Sequence, residues 1–269
     1  MPLVRSLRKP LFLPKVAGTA WWNRNAFRDV ETYCMFIGHG RSGHSTVAAL
    51  LDAHPEVVMS RELNIVRFVR AGIPMPLIYG AILRKEERFG RTGYDFSVLG
   101  QWQGRVRTLR VIGAKKGPRS IHRLQRDPLL LERARIELGP DLRVIHVVRN
   151  PFDNISTMSR RLAISLEAAT EQYLTLCGEL GQVRSKLGES ELYTLRHESF
   201  VGDPARHLSD LCAWLGVGAS DDYLLDAAKV VFDAPSRTRS EADWTPEVVS
   251  RVEGEIAQFD FLGGYSYAD

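Results

Sequence analysis

The chain has 269 residues, of which 44% are hydrophobic and 25% charged, with 36 basic and 32 acidic side chains and a formal net charge of +4. This ordinary globular composition excludes disordered, collagen-like and coiled-coil proteins. The positive excess is too small to indicate nucleic-acid binding by itself, although it is compatible with an anionic ligand. We therefore expect no nucleic-acid partner.

Residues 1–30 are predicted to form an N-terminal arm that precedes a main domain at 31–269. Residues 1–15 are basic, contain Pro10 and Pro14 and lack the apolar core of a signal peptide, so we expect an extended conformation. The arm is either a partly ordered tail or a segment packed on the domain or on a second subunit through Trp21 and Trp22. The second alternative is consistent with a homodimer.

The cysteines and the hydropathy pattern indicate the compartment. Cys34, Cys177 and Cys212 are widely spaced and form neither a disulfide framework nor a zinc-binding pattern. No segment approaches the roughly 20 apolar residues of a membrane span. We therefore expect no membrane span and a reducing, cytoplasmic location.

Short apolar runs alternate with helical patterns along the main domain. Runs typical of strands covered on both faces lie at 33–37, 108–113, 143–148 and 192–196. Apolar spacing predicts helices at 45–53, 63–71, 127–138, 152–162, 165–187, 203–215 and 245–259. The alternation predicts an α/β fold, a three-layer domain whose central parallel sheet has helices on both faces. Residues 73–107 are predicted to be a helical or irregular insertion over the ligand site.

The loop after the first strand has the spacing of a phosphate-binding loop. It runs G-x-x-x-x-G-x-S from Gly38, with His44 where such loops usually have lysine. Glycines let the backbone close around an anion, while the amides and dipole of the following helix attract it. A plain glycine-rich turn is the alternative. The candidate binding residues are Gly40, Arg41, Ser42, Gly43, His44, Ser45 and Thr46.

The missing lysine bears on the reaction class. Phosphate-transferring P-loop enzymes use that lysine and a strand-end aspartate that helps to hold Mg²⁺. Here the strand at 143–148 ends in Arg149. A cation at that place predicts an anion bound without metal.

The loop after the third strand supplies a second candidate site. Arg149 follows the carboxyl end of the strand, where open α/β sheets bind ligands. Thr157 lies two turns into the next helix, and Arg161 lies one turn further on the same face. The three side chains are predicted to converge on one phosphate, unless Arg160 and Arg161 only form a solvated basic face.

Together these loops resemble the sulfotransferase superfamily, whose members use 3'-phosphoadenosine 5'-phosphosulfate (PAPS). Residues 41–45 are similar to its 5'-phosphosulfate loop, and R-N-P-F-D with Thr157 is similar to its 3'-phosphate element. Further similarity to the bacterial and tyrosylprotein branch lies at 51–62, 196–204 and 236–265. The resemblance covers residues 33–266 and implies a P-loop-type fold and a PAPS-dependent sulfotransferase without metal.

The resemblance also implies catalytic roles. Arg41 and the loop amides would neutralise the leaving 5'-phosphate, and Lys116 would lie near the bridging oxygen, with Lys115 as its rival. Glu62 occupies the position of the family's catalytic glutamate and would be the general base. The reaction expected is in-line transfer of the sulfuryl group to an acceptor hydroxyl.

The remaining site residues come from the same resemblance. Ser236, Arg237 and Arg239 would fold over the nucleotide, unless their loop is solvated. His44 replaces the family's first threonine, and its imidazole would act as the missing donor. His197, counted among the nucleotide-binding residues, stands where the protein-modifying relatives commonly have tyrosine.

Several alternatives stay open at this stage. Glu62 could instead form an ion pair with Arg61 or Arg67. His54 and His122 are weaker candidates for the general base. A P-loop kinase using ATP and Mg²⁺ and a non-catalytic nucleotide-binding protein are the competing functions.

The acceptor is not determined by the sequence. A carbohydrate, a lipid or a small-molecule alcohol is expected, with peptide tyrosine as the alternative. The insertion should provide the wall of the acceptor site, and a bacterial cytoplasmic enzyme is expected. The wall candidates are Tyr79, Phe89, Tyr94, Phe96 and Trp102.

Overall fold

The computed structural model describes residues 12–92 and 96–269. Its strands are β1 Thr32–Ile37, β2 Val57–Arg61, β3 Val111–Lys115, β4 Asp141–Val148 and β5 Leu192–Arg196. Its helices are α1 Phe12–Trp22, α2 His44–Asp52, α3 Ile65–Arg70, α4 Met75–Thr92, α5 Gly117–Arg126, α6 Leu130–Leu138, α7 Pro151–Leu162, α8 Leu166–Arg184, α9 His197–Gly202, α10 Pro204–Trp214, α11 Asp221–Ala228 and α12 Pro246–Ile256.

All strand pairs in the five-stranded sheet are parallel, and the strand order is β2-β3-β1-β4-β5. The central strand β1 pairs with β3 on one side and β4 on the other. Because parallel strands end at one edge, the loops after β1, β3 and β4 emerge side by side. This is the edge where the candidate site residues lie.

The sheet is covered on both faces, which confirms the three-layer α/β prediction. Alternate residues of β1 point to opposite faces, Tyr33 and Met35 into one core and Cys34 and Phe36 into the other. The first core packs against helices α3 to α8 and α12, and the second against α2 and α9 to α11. At Gly113 an added Cβ would lie 2.2 Å from the Cys34 carbonyl oxygen, so the contact of β3 with β1 requires glycine.

Strand β2 and helix α5 were not predicted. β2 is entirely buried although it ends in Ser60 and Arg61, so its apolar run is too short to reveal a strand. α5 begins with Gly117 and Pro118, a pair that reads as a turn, yet proline is tolerated in the first turn of a helix.

The N-terminal segment is helical from Phe12 onward, so an extended arm is wrong for that part, while residues 1–11 lie outside the described ranges. α1 packs on α4 through Val16 and Ala20, close to Gly80, where an added Cβ would be 2.8 Å from the Val16 carbonyl oxygen. Trp21 and Trp22 are exposed rather than packed on the domain. Packing on a second subunit stays a prediction.

The insertion contains the long helix α4, and its described aromatic residues lie in different surroundings. Tyr79 is buried in the core and donates a hydrogen bond to the Leu138 carbonyl oxygen at 2.9 Å, so it is not a wall residue. Phe96 packs edge-on against Phe232. Tyr94 and the side chain of Phe89 lie outside the described part of the chain. No helix in the described ranges is long and apolar enough to cross a bilayer.

Candidate active site

The loop between β1 and α2 has the backbone of an anion-binding loop. Gly38, Arg41 and Gly43 have φ values of 125°, 71° and 92°, and Gly43 caps the N-terminus of α2. The first N–H groups of a helix have no acceptor within it, and they carry the positive end of its dipole. The loop therefore presents free donors to an anion at the carboxyl edge of the sheet.

Two residues of this loop use their side chains internally. Ser42 is buried and accepts a hydrogen bond from Asn154 Nδ2 on α7 at 2.6 Å. His44 Nε2 lies 2.8 Å from the Ile37 carbonyl oxygen, and burial lowers the pKa of His44 to about 4. The neutral ring donates from Nε2 to this carbonyl, so Nδ1 has no proton to donate. The prediction that this imidazole replaces a phosphate donor is therefore wrong, and only the His44 amide remains available.

Buried neutral histidines should make the protein sensitive to mild acid. Burial lowers the pKa of His39 and of His44 from 6.5 to about 4, so the unfolded chain binds these protons first. Stability is then complete above pH 6.5 and decreases as the pH falls towards 4, by about 1 kcal/mol per histidine at about pH 5.5. Urea unfolding at about pH 7.5 and 5.5 measures this loss, which should be smaller in His44→Gln. Equal stability at both values would contradict it.

His197 packs directly against the loop. An added Cβ at Gly43 would lie 2.5 Å from His197 Nδ1, and this ring nitrogen has no hydrogen-bond partner within residues 12–92 and 96–269. Burial lowers the pKa of His197, and the nearby Arg149 charge lowers it further. Glycine at position 43 is therefore required both by its positive φ and by this contact.

Gly43→Ala is expected to destabilise the protein by about 1–3 kcal/mol, because it combines the φ penalty with the His197 clash. Gly40→Ala is the matched control, since nothing lies within 4 Å of an added Cβ there. Thermal unfolding without ligand compares the two variants. A Gly43→Ala protein as stable as Gly40→Ala would contradict this geometry.

A second cluster surrounds Arg149 at the end of β4. Its Nη1 donates to the Arg41 carbonyl oxygen at 3.2 Å and to Thr157 Oγ1 at 3.4 Å. Its Nη2 donates to the Ser236 carbonyl oxygen at 2.6 Å and to Thr238 Oγ1 at 3.4 Å. The side chain is buried, and Nε has no partner in the described parts of the chain. Arg149 thus joins the anion loop, α7 and the C-terminal loop.

The C-terminal loop is fixed to α7 by a buried ion pair. Arg239 Nη1 lies 3.3 Å from Asp153 Oδ2, and the Arg239 amide donates to Asp153 Oδ1 at 2.9 Å. Thr238 adds a 3.0 Å hydrogen bond to Thr157. Thr238 was missed from the sequence, where only its position between two arginines could have drawn attention to it.

Arg161 stands apart from this cluster, whereas Arg237 shares a cleft with Asp153 and Arg239. Arg161 is exposed, and in the described ranges none of the hydrogen bonds of Arg149 involves it. The expected convergence with Arg149 and Thr157 is therefore not present, because α7 turns Arg161 towards solvent. Arg237 lines a cleft of about 260 Å³ together with Asn150, Arg196 and Tyr265.

A third cluster lies on the other side of the anion loop. Lys115 Nζ donates to Ser45 Oγ at 2.9 Å and to Glu62 Oε1 at 2.6 Å, while Lys116 Nζ contacts Glu62 Oε2. Burial alone would raise the pKa of Glu62, but the hydrogen bonds and charges of the two lysines lower it to about 2. Glu62 is half-exposed and has a φ of 56°. It is thus an ionised carboxylate held at the edge of the site.

Two residues of α4 support this third cluster and were not predicted. Glu86 is buried and accepts a hydrogen bond from the Arg61 amide at 2.9 Å, which fixes the chain just before Glu62. Burial lowers the pKa of Lys85 to about 8, although the negative charges of Glu86 and Glu62 act to raise it. Nothing in the sequence of the insertion distinguishes these residues from a solvated helix face.

The weaker candidates for a base have other partners. His54 Nε2 lies 2.7 Å from the Gly218 carbonyl oxygen, and His122 pairs with Glu179 on α8. Neither imidazole contacts the anion loop. The site therefore consists of the anion loop with the Arg149 cluster on one side and the Glu62–lysine cluster on the other.

The comparisons with known proteins bear on this arrangement. A sequence model described as "Sulfotransferase family" matches residues 124–221, a little over a third of the chain, which includes Arg149, Thr157 and His197. Over these residues the chain is similar to the sulfotransferase family.

Solved structures of sulfotransferases share the fold. The sulfotransferase domain from the curacin biosynthetic pathway is similar with a TM-score of 0.53 and 14% identity, over 85% of this chain and 97% of that one. Sulfotransferase STF9 from Mycobacterium avium is similar with a TM-score of 0.51 and 13% identity, over 91% of this chain and 81% of that one. No curated protein sequence matches the chain. At these identities the structures support the sulfotransferase fold and not an acceptor.

Proposed function

We propose that this chain is a sulfotransferase, which transfers the sulfuryl group of PAPS to a hydroxyl of a carbohydrate, lipid or small-molecule acceptor. The observation that carries the proposal is the pair of clusters that contact one anion loop from opposite sides. Arg149 reaches the loop through the Arg41 carbonyl oxygen, and Lys115 reaches it through Ser45. A donor with a phosphate at one end and a reacting sulfur at the other needs such a two-sided site.

The residues of the Arg149 cluster fit the 3'-phosphate of the donor. Arg149 Nε is a buried donor without a partner in the described chain, and the hydroxyls of Thr157 and Thr238 lie beside it. Burial lowers the pKa of Arg149, yet arginine stays charged near neutral pH. A phosphate oxygen would supply the acceptor that Arg149 Nε lacks among the described residues.

The anion loop would hold the 5'-phosphate, which is the leaving group. In the reaction the bond from sulfur to the leaving phosphate oxygen breaks, and a bond from sulfur to the acceptor oxygen forms. The helix α2 amides and Arg41 would stabilise the charge that develops on the leaving oxygen. No step requires a metal ion, and Arg149 occupies the strand end where a kinase would hold one.

Glu62 is proposed as the general base that takes the proton of the acceptor hydroxyl. Its low pKa makes it a weak base, so it would accept the proton only as the new bond to sulfur acidifies the hydroxyl. The two lysines keep it ionised and aim it between them. As sulfur transfers, a lysine can exchange its contact with Glu62 for one with the leaving oxygen.

The geometry favours Lys115 over Lys116 as the catalytic lysine, because Lys115 contacts both Ser45 of the anion loop and Glu62. We expect Lys115→Met to lower kcat about tenfold to a hundredfold, and Lys116→Met to lower it less than about tenfold. Steady-state kinetics with PAPS separates the two. A larger loss of kcat in Lys116→Met would instead support Lys116, the catalytic lysine predicted from the sequence.

Calorimetric titration with adenosine 3',5'-bisphosphate tests the proposed donor. The protein should bind it without metal and much more tightly than adenosine 5'-phosphate, since only the bisphosphate reaches the Arg149 cluster. ATP with Mg²⁺ is the control for a kinase. Binding of ATP in the presence of Mg²⁺, without any binding of the bisphosphate, would overturn the proposal. A cytoplasmic location and a homodimer stay predictions.

A further inference from the structure

Two helices begin at the residues that meet in the proposed catalytic cluster. α3 starts at Ile65, just after Glu62, and α5 starts at Gly117, directly after Lys116. The two helices pack against each other. The Arg149 cluster lies on the other side of β1. The surface formed by α3 and α5 therefore borders the acceptor side of the site.

This surface carries four arginines and its helices contain no acidic residue. Arg67 and Arg70 lie on α3, and Arg119 and Arg123 lie on α5; we call these four the arginine cluster. The packing of α3 on α5 brings the two arginine pairs to one surface. Burial lowers the pKa of Arg123, and the positive charges of the other three arginines lower it further. Like charges one turn apart, as at 119 and 123, destabilise a helix.

Carboxylates neutralise many arginines elsewhere in the chain. Examples of such pairs are Arg107–Glu56, Arg110–Glu31, Arg133–Glu137, Arg135–Glu191, Arg160–Glu241 and Arg251–Glu171. In the described ranges no carboxylate lies within ion-pair distance of Arg70, Arg119 or Arg123. The side of α5 that faces α8 has polar partners, because His122 contacts Glu179 and Gln125 contacts Gln182.

The arginine cluster is close enough to the reacting groups for one acceptor molecule to contact both. The helical rise places residues 119 and 123 about 4.5 and 10 Å along α5 from Lys116. Those are separations at which one molecule can present a hydroxyl to Glu62 and an anionic group to α5. Guanidinium groups bind carboxylate, sulfate and phosphate through two parallel hydrogen bonds.

From these observations we infer that the acceptor is itself anionic, a hydroxyl compound whose carboxylate, sulfate or phosphate groups are held by the arginine cluster while its hydroxyl reaches Glu62. The inference rests on the proposed function and narrows its acceptor class. It also gives Arg70, Arg119 and Arg123 anionic partners, which the described ranges do not supply within ion-pair distance.

Binding of hyaluronan hexasaccharide and of glucose 1-phosphate tests the inference. Carboxyl-reduced hexasaccharide and glucose are the uncharged controls, and phosphatidylglycerol vesicles probe a membrane surface. Arg119→Gln/Arg123→Gln is compared with Arg206→Gln/Lys229→Gln, which removes equal charge from α10 and α11 on the opposite face of the sheet. All proteins are also titrated with adenosine 3',5'-bisphosphate.

We expect the wild-type protein to bind at least one anionic probe more tightly than its uncharged control, with an affinity that falls as salt rises. The α5 variant should lose about tenfold in that affinity and the control variant less than about twofold. Equal binding of charged and uncharged probes, binding of vesicles only, or equal losses in both variants would overturn the inference. If the wild-type protein does not bind adenosine 3',5'-bisphosphate, the proposed function itself would be overturned.

Discussion

Arg149→Ala is expected to weaken binding of adenosine 3',5'-bisphosphate about a hundredfold or more, because each buried charge-assisted hydrogen bond contributes about 1.5–3 kcal/mol. The guanidinium is buried between the anion loop, α7 and the C-terminal loop. The bisphosphate would therefore lose its central cation. Calorimetric titration measures the change.

Two comparisons separate this effect from a loss of folding. Binding of adenosine 5'-phosphate, which lacks the 3'-phosphate, should weaken far less in the same variant. Arg161→Ala should bind the bisphosphate within about threefold of wild type, since an exposed side chain outside the cluster contributes little. Equal losses for both nucleotides, or an equal loss in Arg161→Ala, would contradict a 3'-phosphate site at Arg149.

Glu62→Gln is expected to lower kcat about 10²–10⁴-fold, because an amide cannot accept the acceptor proton. Binding of adenosine bisphosphate should stay within about twofold, since Glu62 contacts the lysines and no residue of the Arg149 cluster. Because the lysines lower the pKa of Glu62 to about 2, its carboxylate is deprotonated at neutral pH. An acid limb of the rate near neutral pH would therefore belong to another group.

His122→Gln is the matched control, since His122 pairs with Glu179 on α8 away from the anion loop. Its kcat should stay within about twofold of wild type. Unchanged turnover in Glu62→Gln would remove it as the base. A large loss in His122→Gln with normal folding would move that role to the histidine.

The sequence predicted those parts of the site that depend on local backbone. The anion loop and Arg149 follow from strand–loop–helix patterns, and both lie at the predicted sheet edge. The orientation of individual side chains depends on distant partners. Ser42 accepts a hydrogen bond from Asn154, and His44 turns back to Ile37, so both side chains have partners within the protein.

Long-range contacts explain the other differences. Glu62 meets the two lysines across more than fifty residues, and only family resemblance suggested their common site. Strand β2 was missed because Ser60 and Arg61 are buried polar residues, with Arg61 held by Glu86 of the insertion. Periodicity reports burial of apolar residues and carries no information about such polar contacts.

The proposed reaction moves a sulfuryl group from PAPS to a hydroxyl. PAPS labelled with radioactive sulfur, incubated with a mixture of sugar, lipid and small alcohol acceptors in the presence of EDTA, tests it most directly. We expect label in an acceptor product, equimolar release of adenosine 3',5'-bisphosphate, and loss of both in Glu62→Gln. Tight binding of PAPS without transfer to any acceptor, or equal transfer by Glu62→Gln, would contradict it.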